Sequence, residues 1–190
     1  MSSLSTVAAE AIEVTVTFLE MQRPPAHLPA MPMNKKLALL RTKHIPLHYF
    51  RYLMDRVGRK WHWVNVLRMS DQELGAYLQA PGRDIRVLHL DGAPVGFFDL
   101  HAQLPDQVEL AYFGMTADGI GQGLGRWFLG AAIEAAWSYQ PRRVTVQTCT
   151  LDHPAALPLY QKLGFAPVGQ VRSTVRPLSL RERADVLFLP

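Results

Sequence analysis

Four glycines at alternate positions, Gly119, Gly121, Gly123 and Gly125, stand between a strand-like run, VELAYFGM, and an Ala/Leu-rich helical run from Leu124 to Trp137. Glycines at such a junction let backbone N–H groups close on an anion, and the helix dipole favours negative charge at the same place. The chemistry they offer is capture of a phosphorylated ligand, with Arg126 as a nearby cation. Two nucleotide loops do not fit. A P-loop ends in Gly-Lys-Ser/Thr, whereas Gly125 is followed by Arg126 and Trp127. A dinucleotide turn needs Gly-x-Gly-x-x-Gly. Counted from Gly119 its third glycine is Leu124, and counted from Gly121 it is Arg126.

A second strand-like run, RRVTVQTCT, leads to a second helical run carrying Ala156, Tyr160, Gly164 and Phe165. In this order and context the two segments resemble the GNAT family of N-acetyltransferases. The family's acyl-CoA loop reads Gln/Arg-x-x-Gly-x-Gly/Ala, which Gly123 and Gly125 match, with Ile120 in the usual Gln/Arg place. That departure removes a side chain but no backbone N–H. The family's next helix reads roughly Asn-x-x-Ala-x-x-x-Tyr-x-x-x-Gly-Phe, which Ala156, Tyr160, Gly164 and Phe165 match, with His153 in the Asn place. The motifs span Glu109 to Phe165, under a third of the chain.

The resemblance implies an α/β fold, a mixed, twisted central sheet with helices on both faces. It implies acetyl-CoA as co-substrate, no metal, and direct attack by a primary amine in a ternary complex. Cofactor contacts then fall to Met115, Ile120, Gly121, Gln122, Gly123, Leu124, Gly125, Arg126 and His153. The Met115 N–H is placed to polarise the thioester carbonyl, which is compatible with core packing of its side chain. Tyr160 sits where relatives place the acid that protonates the departing sulfur; a ring packed at a helix end is the alternative. Glu109, six residues before Met115, is at an offset where some relatives carry a base, or is an exposed strand residue. A base matters because an alkyl ammonium of pKa ~10.4 costs roughly 4–5 kcal/mol to deprotonate at pH 7.

The elements that must position these groups are legible from pattern. EVTVTFLE (13–20) ranks as a strand, and residues 21–34, with Pro24, Pro25, Pro29 and Pro32, as an irregular connection. The run from Pro46 to Gly58 reads as a helix with one apolar stripe, Leu47, Phe50, Leu53, Met54 and Val57. SDQELGAYLQ opens with a capping box, Ser70 to Glu73. IRVLHL and PVGFFDLHA flank Asp91-Gly92 as a hairpin. The second motif helix is expected to start at Asp152-His153-Pro154, with Asp152 or His153 as cap, and residues 165–172 and 184–189 to form two closing strands.

At 190 residues the chain reads as a single domain, 1–190, burying about 70% of its unfolded surface. Residues 1–83 supply a strand, the Pro-rich connection and acceptor-side helices; residues 84–190 supply the sheet and acyl-CoA core. No apolar run spans a bilayer, the N-terminus lacks a signal-peptide pattern, and one cysteine, Cys149, excludes an internal disulfide, so a cytoplasmic protein is expected. His44 and His48 are separated by Pro46, and the histidines suggest no metal set.

Between Lys35 and Arg68 stand nine Lys/Arg and one acid, Asp55. The run lacks a zinc-finger or basic-zipper pattern, so nucleic acid is not the expected partner. Tyr49, Tyr52, Trp61 and Trp63 crowd the same segment, either as core or as walls for the acceptor. Aromatics among cations favour a small or peptide-borne amine with an apolar or anionic body over a polyamine. A homodimer is compatible with the sequence. The competing functions are an acyl-CoA-sensing module without turnover, for which Ile120 and His153 speak, and nucleic-acid binding through residues 35–68.

Overall fold

A computed structural model describes residues 10–188. It contains seven strands in one sheet: β1 (Ile12–Met21), β2 (Leu37–Thr42), β3 (Arg83–Leu90), β4 (Ala93–Gln103), β5 (Gln107–Met115), β6 (Arg143–Cys149) and β7 (Ala166–Val175). Five helices accompany them: α1 (Leu47–Gly58), α2 (Asp71–Gln79), α3 (Gly125–Trp137), α4 (Ala156–Lys162) and α5 (Leu180–Phe188). The strand order is β2-β3-β4-β5-β6-β1-β7. Every neighbouring pair is antiparallel except β5–β6, the two strands joined by the α3 crossover. A parallel pair needs such a crossover because the first strand finishes at the end of the sheet opposite to the one where the second begins.

Local signals explain most elements. Ser70 Oγ accepts from Glu73 N–H, and the Glu73 carboxylate accepts from Ser70 N–H at 2.7 Å, so α2 starts on the expected capping box. Asp91 and Gly92 both have positive φ, 51° and 87°, as a two-residue hairpin turn of matching twist requires. Each face of the sheet carries its own core. Phe98, Leu100, Leu110 and Val146 pack under α3 and α4, while Phe97, Ile85 and Val87 pack under α1 and α2. Adjacent Phe97 and Phe98 point to opposite faces, so β4 is buried on both sides.

Three elements depart from the sequence reading. Residues 37–42 form the edge strand β2, paired only with β3. Residues 184–188 belong to α5, a helix and not a strand, while Leu189 and the first nine residues lie outside the described residues. Ser179 and Glu182 form a second capping box there, with Glu182 N–H donating to Ser179 Oγ at 3.1 Å and Ser179 N–H donating to the Glu182 carboxylate at 2.8 Å. Arg183 then pairs with the buried Asp55 of α1, docking the helix. Helix α4 begins at Ala156 and its N-cap is Ala155, without a side-chain bond, so neither Asp152 nor His153 is the cap.

Candidate active site

Strands β5 and β6 are paired only from Gln107–Arg143 to Leu110–Val146. Beyond Leu110, β5 stays on β4 as far as Met115, and β6 stays on β1 as far as Cys149. The sheet therefore splits. A bulge starts the split: Asp99 faces Tyr112 and Leu100 faces Leu110, leaving Ala111 without a partner on β4. A bulge bends its strand and re-aims the side chains beyond it. Leu110 and Phe113 consequently face α3, while Tyr112 faces α1. Thr116 N–H donates to Val95 C=O at 2.9 Å, so strand alternation turns the Met115 and Phe113 N–H groups towards the gap. A cavity of about 520 Å³ fills it, with Leu110 and Val146 at its apex.

The glycine loop closes one end of this cavity. Gly119 and Ile120 N–H both donate to Thr116 C=O, and a Cβ on Gly119 would stand 2.7 Å from the Val95 carbonyl oxygen. Gly121 and Gly123 differ: their φ values are 82° and 75°, and an added Cβ on either would meet nothing within 4 Å. They leave open space beside the backbone. Among the described residues the N–H groups from Gly121 to Trp127 have no backbone acceptor. Helix α3 has no side-chain cap and no acid in its first turn, and Arg126 lines the cavity there. Unsatisfied donors, positive dipole end and cation together fit a pyrophosphate.

One contact to this loop has no signal in the sequence. Lys35 Nζ donates to Gln122 Oε1 at 3.2 Å, across 87 residues of chain. The Pro-rich connection brings it there, with Pro29 Cδ lying 2.9 Å from the Cβ position of Gly130 in α3. Gln122 itself does not line the cavity; Ile120, Leu124, Gly125 and Met115 do.

Opposite the loop, Tyr160 of α4 is 5% exposed and stands edge-on to Phe113 and Phe165. Burial first, and the Asp152 charge second, push its phenol well above the ordinary range. At neutral pH it is protonated and can donate. No hydrogen bond among the described residues occupies its hydroxyl.

Asp152 ties the two sides of the gap together. One carboxylate oxygen accepts from Thr148 Oγ1 at 2.7 Å and from Cys149 N–H at 2.8 Å. The other accepts from Trp63 Nε1 at 3.1 Å. His62, at φ 55° and ψ 43°, turns the chain so that Trp61 and Trp63 both line the cavity. The Trp63 indole lies over two glycines: a Cβ would be 2.9 Å from it at Gly114 and 2.5 Å from its Cβ at Gly58. His153 packs edge-on to Trp61 at 5.3 Å, and its Nδ1 accepts from Ala155 N–H at 3.1 Å. The neutral ring therefore carries its proton on Nε2.

Besides Gln122, three sequence candidates are not brought into the gap. Glu109 lies one residue before the apex, opposite His101 on β4, and is not among the residues lining this cavity or the one beside it. Tyr49 and Tyr52 stack on each other at 6.2 Å, Tyr49 against the α1 core and Tyr52 in solvent. A second cavity of about 310 Å³ adjoins the first, sharing Trp61, Met115, Ile120 and His153 with it. Among the described residues no group of three His, Cys, Asp or Glu is placed to hold a metal, and no helix is long and apolar enough to cross a membrane.

Comparison with known proteins bears on this geometry. The pattern described as the Acetyltransferase (GNAT) family matches residues 48–165. No curated protein matches significantly. Among solved structures, a tandem GNAT protein from the clavulanic acid biosynthesis pathway superposes with TM-score 0.58 at 15% identity, over 90% of this chain and 57% of that one. A GCN5-related N-acetyltransferase from Kribbella flavida gives 0.57 at 17% identity, over 89% and 61%. A GNAT family acetyltransferase from Elizabethkingia anophelis, solved with acetyl-CoA bound, gives 0.51 at 18% identity, over 70% and 78%. The chain thus spans less than two thirds of the length of the first two. Identities this low bear on the fold alone, and the sheet and both helical layers agree with it. By the match over residues 48–165, the chain belongs to the acetyltransferase (GNAT) family.

Proposed function

We propose that this protein transfers an acetyl group from acetyl-CoA to a primary amine by direct attack. The observation that carries this reading is one continuous cavity running from the open cradle at Gly121 and Gly123 to the buried, protonated Tyr160. The pyrophosphate is held by the free N–H groups and Arg126, and the pantetheine arm takes the place of the missing strand partner along Phe113–Met115. The Met115 N–H, directed into the gap, polarises the thioester carbonyl. The amine nitrogen bonds to the acetyl carbon, the C–S bond breaks, and Tyr160 gives its proton to the departing sulfur. The amine's own proton leaves through water. Asp152 lines the cavity, but its oxygens already accept from three donors. Glu109, on the strand that ends at Met115, is the base we assign, and only water can connect it to the reaction. The half-buried lone thiol suits a cytoplasmic setting.

The test pairs calorimetry of acetyl-CoA with CoA release in the presence of an amine panel. Gly123→Glu places a Cβ and a negative charge where the phosphate lies, and should abolish acetyl-CoA binding in a folded protein. Tyr160→Phe should leave that binding intact and lower kcat by about 10²–10⁴. Unchanged affinity in Gly123→Glu would overturn the phosphate assignment. Binding by the wild type without CoA release for any amine would make the protein an acyl-CoA sensor instead.

A further inference from the structure

The second cavity is built differently from the first. Its outer wall is the C-terminal end of α1 and the turn after it, with Arg56, Arg59, Lys60 and Trp61. Its inner wall is Met115, Ala117, Ile120 and His153. Asp55 is the one acid among the lining residues, and it is already paired with both Arg59 and Arg183. Arg56 and Lys60 form no ion pair among the described residues. The chamber is therefore cationic, it opens on the gap beside Met115, and it holds one aromatic face.

We infer that this chamber is an anion subsite for the acceptor, so that the favoured substrate is a primary amine bearing a carboxylate or phosphate group. The inference rests on the acetyl-transfer reading. Arg56 and Lys60 take the anionic end by charge-assisted hydrogen bonds. The Nε2–H of His153 is a further donor on the wall shared with the gap. The amine end then lies towards Met115, where the thioester carbonyl is polarised. The same cations disfavour an ammonium relative to the neutral amine, so the site that holds the anion also eases the deprotonation that attack requires. Polycationic acceptors are repelled for the same reason.

The experiment uses matched acceptors with the intact protein and acetyl-CoA: an amino carboxylate, its neutral amide, an aminoalkyl phosphate of the same length, and spermidine. The expected kcat/KM is higher for the anionic compounds than for the amide by at least about tenfold, with the advantage shrinking as salt is raised. Arg56→Ala/Lys60→Ala, at exposed positions in the last turn of α1 and the turn after it, should erase the advantage and leave acetyl-CoA affinity unchanged. The better of carboxylate and phosphate identifies the anion. Equal use of the amide, preference for spermidine, or an advantage that survives in the double variant overturns the inference. So does a double variant that loses acetyl-CoA affinity while keeping the preference, since the cations then serve the CoA phosphates. Quenching of tryptophan fluorescence by the amino carboxylate reads the same subsite through Trp61 without turnover. If no amine releases CoA, the transfer reading falls, while quenching that is lost in the double variant still upholds the anion site, and quenching that is absent or unaltered rejects it.

Discussion

Trp63→Phe and Asp152→Asn, made singly and together, probe the tie across the gap. The bond joins the turn after α1 to the β6–α4 loop at 3.1 Å. A hydrogen bond to a charged group contributes roughly 1.5–3 kcal/mol. Asp152 is half-buried, which reduces its share to about 1–2 kcal/mol. Trp63→Phe keeps an aromatic ring against Phe97 and Tyr112 and deletes the N–H, so its cost should be of that order. Asp152→Asn is costlier, about 2–4 kcal/mol, because one amide cannot accept from Trp63, Thr148 and Cys149 together. The double variant should lose about 1–2 kcal/mol less than the sum of the singles. Urea unfolding of the four proteins gives the coupling, and steady-state kinetics gives its consequence: a raised KM for the amine with acetyl-CoA affinity unchanged. Additivity within about 0.3 kcal/mol would refute the idea that this bond holds the gap's outer wall.

Lys35→Ala should weaken acetyl-CoA binding several-fold at low salt, about 1 kcal/mol, and reduce the salt dependence of binding, because it removes a cation held at Gln122. Calorimetry at two ionic strengths checks this, and identical curves for both proteins reject it. Asp99 is fully buried, accepting from Tyr77 Oη at 2.5 Å and pairing with Arg83, and burial pushes its carboxyl up to about 6. A raised folded value means the native state binds the extra proton, so this group's stabilising share is complete below its unfolded pKa near 4 and is lost as pH rises towards 6. Across that window the wild type should lose on the order of 3 kcal/mol relative to Asp99→Asn, measured by urea midpoints from pH 4 to 7.

The features readable from short stretches of residues are local. The capping box of α2, the Asp91-Gly92 turn, the apolar stripe of α1 and the positive-φ glycines each act within a few residues, where backbone preference and side-chain period decide the outcome. The Ser179–Glu182 box that starts α5 is equally local, and it sets a helix where apolar content alone suggests a strand. The glycine loop and Tyr160 were legible because the family motifs are compact and the strand–loop–helix context repeats them. The working parts of the gap are different. β1 comes to lie between β6 and β7, and β5 parts from β6 at the Ala111 bulge, both through the register of strands far apart in sequence. Asp152, two residues ahead of Pro154, stands where a helix cap is expected; only the approach of Trp63, 89 residues away, makes it a bridge. Lys35 reaches the glycine loop because Gly130 lets the Pro-rich connection sit close on α3. Tyr49 and Tyr52 shared the composition of Trp61 and Trp63 but face away from the gap, since helical phase assigns their direction and the left-handed turn at His62 assigns that of the tryptophans. Contacts across such separations depend on topology and packing, which no short window of residues encodes.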